Sequence, residues 1–328
     1  MKQLTILVPE GDNNLSSITG SYKLFTRANE YWASTGRTAP FRVQLAGCSN
    51  SIDFHGGLFS ARPHILIDAL AQTDAIIIPS LNHRYTESIA ANPALIRWIS
   101  AQYANGAEVA SICTGAFLLA ATGLLDGRSC STHWAVAEDF RKRFPRINLR
   151  TDLLITDEAG IYTNGGAYSF LHLLLYLIEK WYDRPTAIYC AKVFQIEPDR
   201  HSQSPFAIFT GQKQHDDEVV LQAQAYIESN PGERISFEEL SARYAVGRRN
   251  FDRRFVKATG NTPAEYAQRV RVEAAKKALE TSNKTVAEVM YAVGYTDEKA
   301  FREVFRRFSG LSPLEYRGRF NKKARTVL

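Results

Sequence analysis

The sequence predicts two domains of different fold class, an α/β domain with a parallel sheet followed by an all-α domain. Three observations lead to this prediction. Short apolar runs alternate with helical patterns in the first part of the chain, which is typical of a parallel sheet covered on both sides. The last third contains a degraded repeat of a helix pair, and the net charge changes sign between the two parts. A chain of 328 residues is also long for a single hydrophobic core.

The first part contains five short apolar runs that we interpret as strands. They cover residues 4–8, 41–46, 75–79, 108–112 and 161–163. Helical patterns lie between them and after them, to about residue 33, then at 87–104, 116–125 and 169–183. This order predicts a sheet with helices on both faces.

A segment near the end of the chain repeats an earlier one. Residues 289–316 match residues 240–266, and each copy reads as helix, short turn and longer helix, the layout of a helix-turn-helix. The matched pairs are Phe251 and Phe301, Phe255 and Phe305, Gly260 and Gly310, Pro263 and Pro313, and Tyr266 and Tyr316. Capping-box patterns, Ser236-x-x-Glu239 and Thr285-x-x-Glu288, come before the first helix of each copy.

The longer helix of each copy has an apolar face and a basic face. The paired phenylalanines are four residues apart and therefore lie on the face that packs inward. The residues predicted to point outward are Arg248, Arg249, Asn250, Arg253 and Arg254 in the first copy and Lys299, Arg302, Arg306 and Arg307 in the second. We expect Arg249 and Arg253 to read bases, and Lys299 and Arg302 to contribute less because acidic residues stand beside them.

The basic character of the protein is confined to the repeat. From Arg243 to the end there are 20 basic and 9 acidic residues, a net charge of +11, whereas the preceding part carries −5. A local excess of positive charge is typical of a polyanion-binding module. The outer faces lack the Trp and Leu stripe of a membrane-surface helix, so this pattern favours nucleic acid over a membrane.

The repeat resembles the DNA-binding domain of the AraC family of transcriptional regulators, in which a long helix joins two helix-turn-helix units. The resemblance covers about a third of the chain, and its most specific part is Gly294-Tyr295, Phe301-x3-Phe305 and Gly310-x-Ser312-Pro313-x2-Tyr316-Arg317. It implies binding to double-stranded DNA. The first copy departs from the family pattern at Gly247, where a hydroxyl N-cap is more usual.

The first part contains a candidate nucleophile. Ser111-Ile112-Cys113-Thr114-Gly115 places a cysteine between small residues at a predicted strand-to-helix turn, the arrangement of a nucleophile elbow. A helix N-terminus there can lower the pKa of a thiol. His133 follows later in the same part. The alternative is structural, with a buried small side chain and a hydrogen-bonded core imidazole.

Together with Tyr162-Thr163-x-Gly165-Gly166, these residues make the first 190 positions resemble the PfpI or class I glutamine amidotransferase-like fold, which implies a flavodoxin-like sheet. In that family a carboxylate after strand 1 contacts the reactive cysteine, and a glycine-rich turn after strand 3 supplies oxyanion donors. This chain has Ser16 at the first position and Ser80-Leu81 at the second. Acyl transfer needs an activated nucleophile and placed donors, so we expect no enzymatic activity.

The cleft is still expected to bind a small molecule, since ligands bind at the carboxyl ends of parallel strands. Its predicted residues are Asn13, Cys113, Thr114, His133 and Gly165. The four cysteines have no metal-binding spacing and no apolar run is long enough for a membrane span, so we expect no metal, no cofactor, no membrane association and a cytoplasmic location.

These observations predict a ligand-responsive, DNA-binding transcriptional regulator. We expect a sensor or dimerisation domain at 1–195, a linker at 196–216 and a DNA-binding domain at 217–328. The expected partners are double-stranded DNA, a small-molecule effector, RNA polymerase and a second copy of the chain. The alternatives are a PfpI-like cysteine hydrolase or amidotransferase with an accessory DNA-binding module, and an architectural DNA binder with an inert first domain.

Overall fold

The computed structural model describes residues 1–198 and 200–321, so residues 322–328 of the predicted second domain lie outside the described residues. The chain divides into two compact units, Met1–Gln203 and Ser204–Leu328. Each unit has hydrophobic clusters of its own.

The first unit alternates strands and helices. Its strands are β1 (Lys2–Val8), β2 (Phe41–Gly47), β3 (Ile52–Phe54), β4 (Phe59–Ala61), β5 (Ile65–Leu66), β6 (Ala75–Ile78), β7 (Glu108–Ser111), β8 (Ser129–Cys130), β9 (Asn148–Leu149), β10 (Ile155–Glu158) and β11 (Ile161–Asn164). Its α-helices are α1 (Leu15–Ser34), α2 (Tyr85–Ala91), α3 (Pro93–Ala104), α4 (Ala116–Ala121), α5 (Ala137–Arg143), α6 (Phe170–Trp181) and α7 (Arg184–Val193).

Seven strands form one sheet in the order β10-β11-β7-β6-β1-β2-β5. All neighbours pair in parallel except β10 and β11, which are antiparallel. In register, Leu4 of β1 lies opposite Ala75 of β6, which in turn lies opposite Glu108 of β7. The predicted parallel α/β architecture is therefore confirmed, and the sheet ends in an antiparallel edge strand, β10, which lies outside the five predicted strands.

Helices cover both faces of this sheet because the strands are apolar on both sides. On one face, Leu4 and Ile6 of β1 pack in a cluster with residues of α1, α6 and α7. On the other face, Leu7 of β1 and Ile76 of β6 pack with residues of α3, α4 and α5. Successive residues of a strand point to opposite faces, so a continuous apolar run contributes to both layers.

The helix predicted at 87–104 is two helices, α2 and α3, separated at Asn92. Pro93 opens α3 and has no N–H to continue the hydrogen bonding of α2. The Asn92 side chain is fully buried, and its amide nitrogen donates to Ser88 O and to Glu10 O. The break thus ties the start of α3 to the loop after β1.

The second unit is helical. It consists of α8 (Glu218–Ser229), α9 (Phe237–Arg243), α10 (Arg248–Thr259), α11 (Pro263–Thr281), α12 (Val286–Ala292), α13 (Glu298–Ser309) and α14 (Pro313–Phe320). One hydrophobic cluster forms around α8 to α10 and the first half of α11, and another around the second half of α11 and α12 to α14. The all-α class predicted for this part is confirmed.

Residues 204–212, which we call the strap, belonged to the predicted linker, yet they pack on the second unit. The Phe206 ring meets Phe320 of α14 edge-on at 5.6 Å, and the Phe209 ring meets Tyr266 of α11 at 5.1 Å. Lys276 of α11 is 4% exposed and donates to Ala207 O. The strap therefore contacts both halves of the unit. Its low content of apolar residues predicted an unattached linker, but these two phenylalanines are enough to anchor it.

Candidate DNA-binding surface and effector site

The two helix-turn-helix units have matching backbones. In the turn between α9 and α10, Ala245 has a φ of 53°, and in the turn between α12 and α13, Gly294 has a φ of 79°. A Cβ on Gly294 would lie 2.7 Å from Gly232 O, so this turn requires glycine for space as well as for conformation. Gly260 and Gly310 end the two longer helices in the left-handed conformation, as their spacing predicted.

The apolar faces of the two longer helices pack in the same way. The rings of Phe251 and Phe255 are 5.7 Å apart and those of Phe301 and Phe305 are 5.8 Å apart. Each second phenylalanine meets a tyrosine edge-on, Tyr266 in the first unit and its repeat partner in the second. Because these aromatic rings are fully buried, the opposite faces of α10 and α13 are turned outward.

Capping differs slightly between the copies. The box at Thr285 and Glu288 is complete. At Ser236 only the forward bond forms in the described structure, from Glu239 N–H to Ser236 Oγ at 3.3 Å, so the predicted capping box is half present there.

Seven of the nine residues predicted to point outward are exposed. These are Arg249, Asn250, Arg253, Lys299, Arg302, Arg306 and Arg307. The Arg253 guanidinium donates to Asn250 Oδ1 at 2.9 Å, which aligns two hydrogen-bonding side chains on the outer face of α10. Arg302 forms an exposed ion pair with Glu298 on α13. An exposed pair of this kind is weak and can be exchanged for phosphate.

Two arginines of the predicted set have carboxylate partners within the unit. Arg254 donates to both carboxylate oxygens of Asp217, at 2.8 and 2.6 Å. Asp217 is the N-cap of α8, so Arg254 fixes α10 to α8. Arg248 donates to Asp252 one turn along its own helix, at 2.9 Å. Arg254 is therefore held against α8, which its basic character could not reveal because it depends on which face of α10 meets α8. The pair of Arg248 with Asp252, like that of Arg302 with Glu298, is an exposed ion pair within one helix and can be exchanged for phosphate in the same way.

The backbone around Cys113 has the geometry of a nucleophile elbow. Cys113 has a φ of 53°, an unusual conformation for a residue with a side chain. A Cβ on Gly115 would lie 2.5 Å from Pro79 O, so only glycine allows the turn to approach the end of β6. The Cys113 N–H donates to Asn164 Oδ1 at 3.0 Å, which links the elbow to β11.

Burial opposes ionisation of the Cys113 thiol. Burial raises its pKa, and this outweighs hydrogen bonds from Ser80, from Thr114 and from the His133 backbone, which favour the thiolate. Only 3% of the residue is exposed. The thiol is therefore neutral near pH 7, whereas reactive cysteines are thiolates in accessible, electropositive surroundings.

His133 lies near the elbow but is not set up as a base for it. Its Nδ1 accepts from Ala135 N–H at 3.1 Å. In the neutral ring the proton then resides on the other nitrogen, Nε2, which can donate but cannot take a proton from a thiol. Burial also lowers the pKa of His133, which keeps the ring neutral.

Hydroxyl groups bond the Ser80-Leu81 turn, where the resemblance implies oxyanion donors. Ser17 is buried next to Ser16, and its hydroxyl oxygen accepts a hydrogen bond from Ser80 N–H at 3.1 Å. This N–H is one of the donors expected in an oxyanion hole, and it is already bonded. Thr114 Oγ1 donates to Leu81 O at 2.6 Å and bonds the Ser80 hydroxyl at 2.7 Å. These polar groups satisfy one another.

Asn13 is buried beside this network. It pairs with Leu81 in an isolated antiparallel bridge, and its amide nitrogen donates to Pro9 O at 2.5 Å. Its Oδ1 has no partner among the described residues. Asn13 and Thr114 both bond Leu81, so these two residues and Cys113, which precedes Thr114, belong to one buried loop cluster.

Gly165 borders a different part of the cleft. A Cβ at this position would lie 2.1 Å from Nε2 of Gln203, whose side chain is 2% exposed. Gln203 also bonds the backbone on either side of His133. The predicted residues Gly165 and His133 therefore lie near each other. The side chain of Gln203, at the end of the first unit, fills the space between them.

A more open cavity of about 360 Å³ lies at the start of α1. Its lining is Asn14, Leu15, Ser16, Thr19, His55, Phe59 and Asn82. It includes Ser16 but none of the five predicted pocket residues.

Comparison with known proteins separates the same two parts of the chain. The DJ-1/PfpI family matches residues 33–179, and a helix-turn-helix domain matches residues 240–319. Among solved structures, the chain is similar to an AraC family transcriptional regulator from Pseudomonas putida, with a TM-score of 0.50 and 17% identity over 59% of this chain and 100% of that one. The chain joins a DJ-1/PfpI-type domain to an AraC-type helix-turn-helix domain.

Curated proteins similar to this chain are named HTH-type transcriptional regulators. The HTH-type transcriptional regulator GbdR of Pseudomonas aeruginosa is 27% identical over 68% of this chain, which spans only 60% of the length of GbdR. The HTH-type transcriptional regulator Rv1931c of Mycobacterium tuberculosis is 27% identical over 75% of this chain and 95% of its own length. In the described part of the chain, no helix is long and apolar enough to cross a membrane.

Sequence reasoning missed two residues of the DJ-1/PfpI-type domain that shape the cleft. Asn164 holds the elbow through Cys113 N–H, and its place directly before Gly165 could have suggested it. Gln203 gave no signal, since it lies 38 positions after Gly165 in a stretch without periodicity. In the AraC-type domain, the buried Lys276 was missed because a lysine in a basic helix is normally exposed.

Proposed function

We propose that this protein is a sequence-specific, DNA-binding transcriptional regulator whose DJ-1/PfpI-type domain binds a small-molecule effector. The observation that carries the proposal is the pair of matched helix-turn-helix units, each with its aromatic face buried and a face containing exposed cationic residues turned outward. Relatives over most of the chain are named transcriptional regulators, which supports this function over the hydrolase alternative.

Arg249 and Arg253 are the proposed base readers of α10, and Lys299, Arg302 and Arg306 extend the contact surface on α13. Arginine can bond guanine in the major groove with two hydrogen bonds. The net charge of +11 from Arg243 onward supplies the sequence-independent attraction to phosphate.

The test is selection of bound duplexes from a random library, followed by footprinting of the full-length protein on the selected sequence. Two recognition helices in successive major grooves should protect two half-sites about 10–10.5 bp apart on one face of the duplex. Protection of a single groove would refute the two-helix arrangement, and failure to enrich any sequence would refute specific recognition.

We further propose that the DJ-1/PfpI-type domain has no hydrolase or amidotransferase activity. The neutral, buried thiol of Cys113, the acceptor role of His133 Nδ1 and the Ser17 hydroxyl on Ser80 N–H support this. A screen of ester and amide substrates followed by intact mass spectrometry should detect no acyl group on Cys113. A covalent acyl intermediate there would overturn this part of the proposal.

The proposed assembly is a cytoplasmic homodimer that acts on RNA polymerase at promoters. Dimerisation would raise the effective concentration of the second DNA-binding domain on the operator. Size-exclusion chromatography with light scattering tests the dimer, and transcription in vitro with and without the protein tests the effect on polymerase. A monomer at concentrations that saturate the operator would contradict the dimer.

A further inference from the structure

The Gln203 carboxamide is bound as a ligand would be. Its Oε1 accepts from Trp134 N–H at 3.1 Å, and its Nε2 donates to Thr132 O at 2.9 Å and to Ser131 Oγ at 3.3 Å. Leu153 O lies 3.5 Å from the same nitrogen. Both ends of the amide are therefore satisfied in a site that excludes solvent.

The orientation of this amide is fixed by main-chain groups. An N–H such as that of Trp134 can only donate, and a carbonyl such as that of Thr132 can only accept. The Ser131 hydroxyl donates to Leu153 O at 2.7 Å, so it presents a lone pair to Gln203. The site thus offers one donor and a group of acceptors, which is complementary to a primary carboxamide and unfavourable for a carboxylate.

Gly165 leaves the space that the amide occupies. Its φ lies outside the left-handed region, so alanine is compatible with the backbone there. The Cβ of that alanine would meet the flexible end of Gln203 at 2.1 Å and would have to displace it. Substitution at Gly165 can therefore mimic a molecule that takes the place of the amide.

We propose that the space beside Gly165 is a carboxamide-binding site which Gln203 occupies as an internal ligand, and that an effector carrying a primary carboxamide or ureido group displaces it. This inference rests on the proposed effector-binding function and names the chemical class of the effector. Cys113 then contributes to the shape of the elbow and takes no part in a reaction.

Displacement of Gln203 also has a route to the DNA-binding domain through the main chain. Gln203 is the last residue of the first unit, and the strap begins at Ser204. Phe206 and Phe209 anchor the strap on α14 and α11. Phe206 and Phe209 lie only three and six positions after Gln203. A change in the backbone at Gln203 would therefore be passed along the chain to these two anchors.

The first experiment is chemical rescue in the full-length protein. Gln203→Ala empties the site, and propionamide at about ten times its Kd should raise the melting temperature of this variant by about 3–6 °C. Propionate should not, and the wild-type protein should not respond, since its own amide is present at a high effective concentration. The matched control is Gln214→Ala, an exposed glutamine of the second unit. Equal responses of Gln203→Ala and wild type would overturn the site.

The second experiment tests coupling on the selected duplex. Gln203→Ala and Gly165→Ala remove the amide from its site in different ways, so both should change operator affinity in the same direction, by about fivefold or more, while Gln214→Ala leaves it unchanged. Unchanged affinity or opposite effects would refute the coupling. The rescue experiment needs no DNA, so a failure of DNA recognition and a failure of the amide site are distinguishable.

Discussion

Two adjacent arginines of α10 should have opposite roles, although the sequence gives them the same character. Arg253 is exposed and bonds only a polar neighbour, Asn250, in the described contacts, whereas Arg254 forms a two-pronged bond to Asp217. We predict that Arg253→Ala weakens operator recognition at nearly unchanged stability. Arg254→Ala should destabilise the second unit and leave operator affinity nearly unchanged at temperatures where the variant is folded.

The magnitudes follow from the contacts. The side chains of Arg254 and Asp217 are 33% and 23% exposed, so solvent screens the pair and its loss should cost about 1 kcal/mol, near the upper end for surface ion pairs. Asp217 keeps its bond from Val220 N–H, so the cap of α8 survives. Loss of a base contact by Arg253 should cost about 1–3 kcal/mol on the preferred sequence, and less on a sequence changed at the contacted base pair.

The pair also predicts a dependence on pH. The hydrogen bond from Arg254 lowers the pKa of the Asp217 carboxyl. A lowered pKa in the folded state means that the stabilisation is present above the unfolded pKa, about 3.9, and is lost as the pH falls through the folded value. The stability difference between wild type and Arg254→Ala should therefore be constant near neutral pH and shrink below about pH 4.

The assay can follow the two units separately. All 4 tryptophans, at positions 32, 98, 134 and 181, lie in the first unit, so their fluorescence reports that unit alone, whereas circular dichroism at 222 nm reports helices in both. The melting transition that only dichroism detects belongs to the second unit. Arg254→Ala should lower the midpoint temperature of this transition by about 4 °C. Arg254→Lys keeps the charge but not the two-pronged geometry, and should recover part of the loss. If Arg254→Ala instead lowers affinity for all sequences at unchanged stability, Arg254 contacts phosphate and our assignment is wrong.

Three further predictions test other parts of the structure. Gly247→Ser should stabilise the second unit by about 0.5 kcal/mol, because serine supplies an N-cap for α10. Gly260→Ser should destabilise the unit by about 1–2 kcal/mol, because the φ at this position is 69°. Equal effects of the two substitutions on melting followed by circular dichroism would contradict this prediction. Iodoacetamide at pH 7 should label native Cys113 far more slowly than the unfolded chain, because burial raises its pKa, and mass spectrometry showing rapid native labelling would refute the neutral thiol. A fragment that begins at Ser204 should melt at least several degrees above one that begins at Asp217, since only the first retains the strap; identical melting would show that the strap adds no stability.

The sequence predicted the architecture well where local signals agree with tertiary packing. The buried strands and the two helix-turn-helix units follow from apolar periodicity, caps and glycine stops, all of which are short-range features. Arg254 and Gln203 could not be assigned in this way. The partner of Arg254 is Asp217, 37 positions earlier. The residues around the Gln203 side chain lie 38 positions earlier, at Gly165, or further, as Thr132 does. A single sequence contains no signal for pairs that are so far apart. The strap escaped prediction because two aromatic anchors are too few to produce a period.

The elbow of the first unit keeps the backbone of a catalytic turn while its polar groups are directed to one another. Ser17 takes the Ser80 N–H, Thr114 takes Leu81 O, and Gln203 fills the space beside Gly165. A reacting substrate needs unpaired donors and an ionised nucleophile, but a sensor needs a rigid site that one kind of molecule can enter at a defined cost. An effector that displaces Gln203 must replace each hydrogen bond that the Gln203 amide makes. A molecule without a carboxamide group leaves buried donors and acceptors unpaired, so its binding free energy is too small to displace Gln203. Selectivity for the effector would therefore arise from the same hydrogen bonds that hold the unliganded domain together.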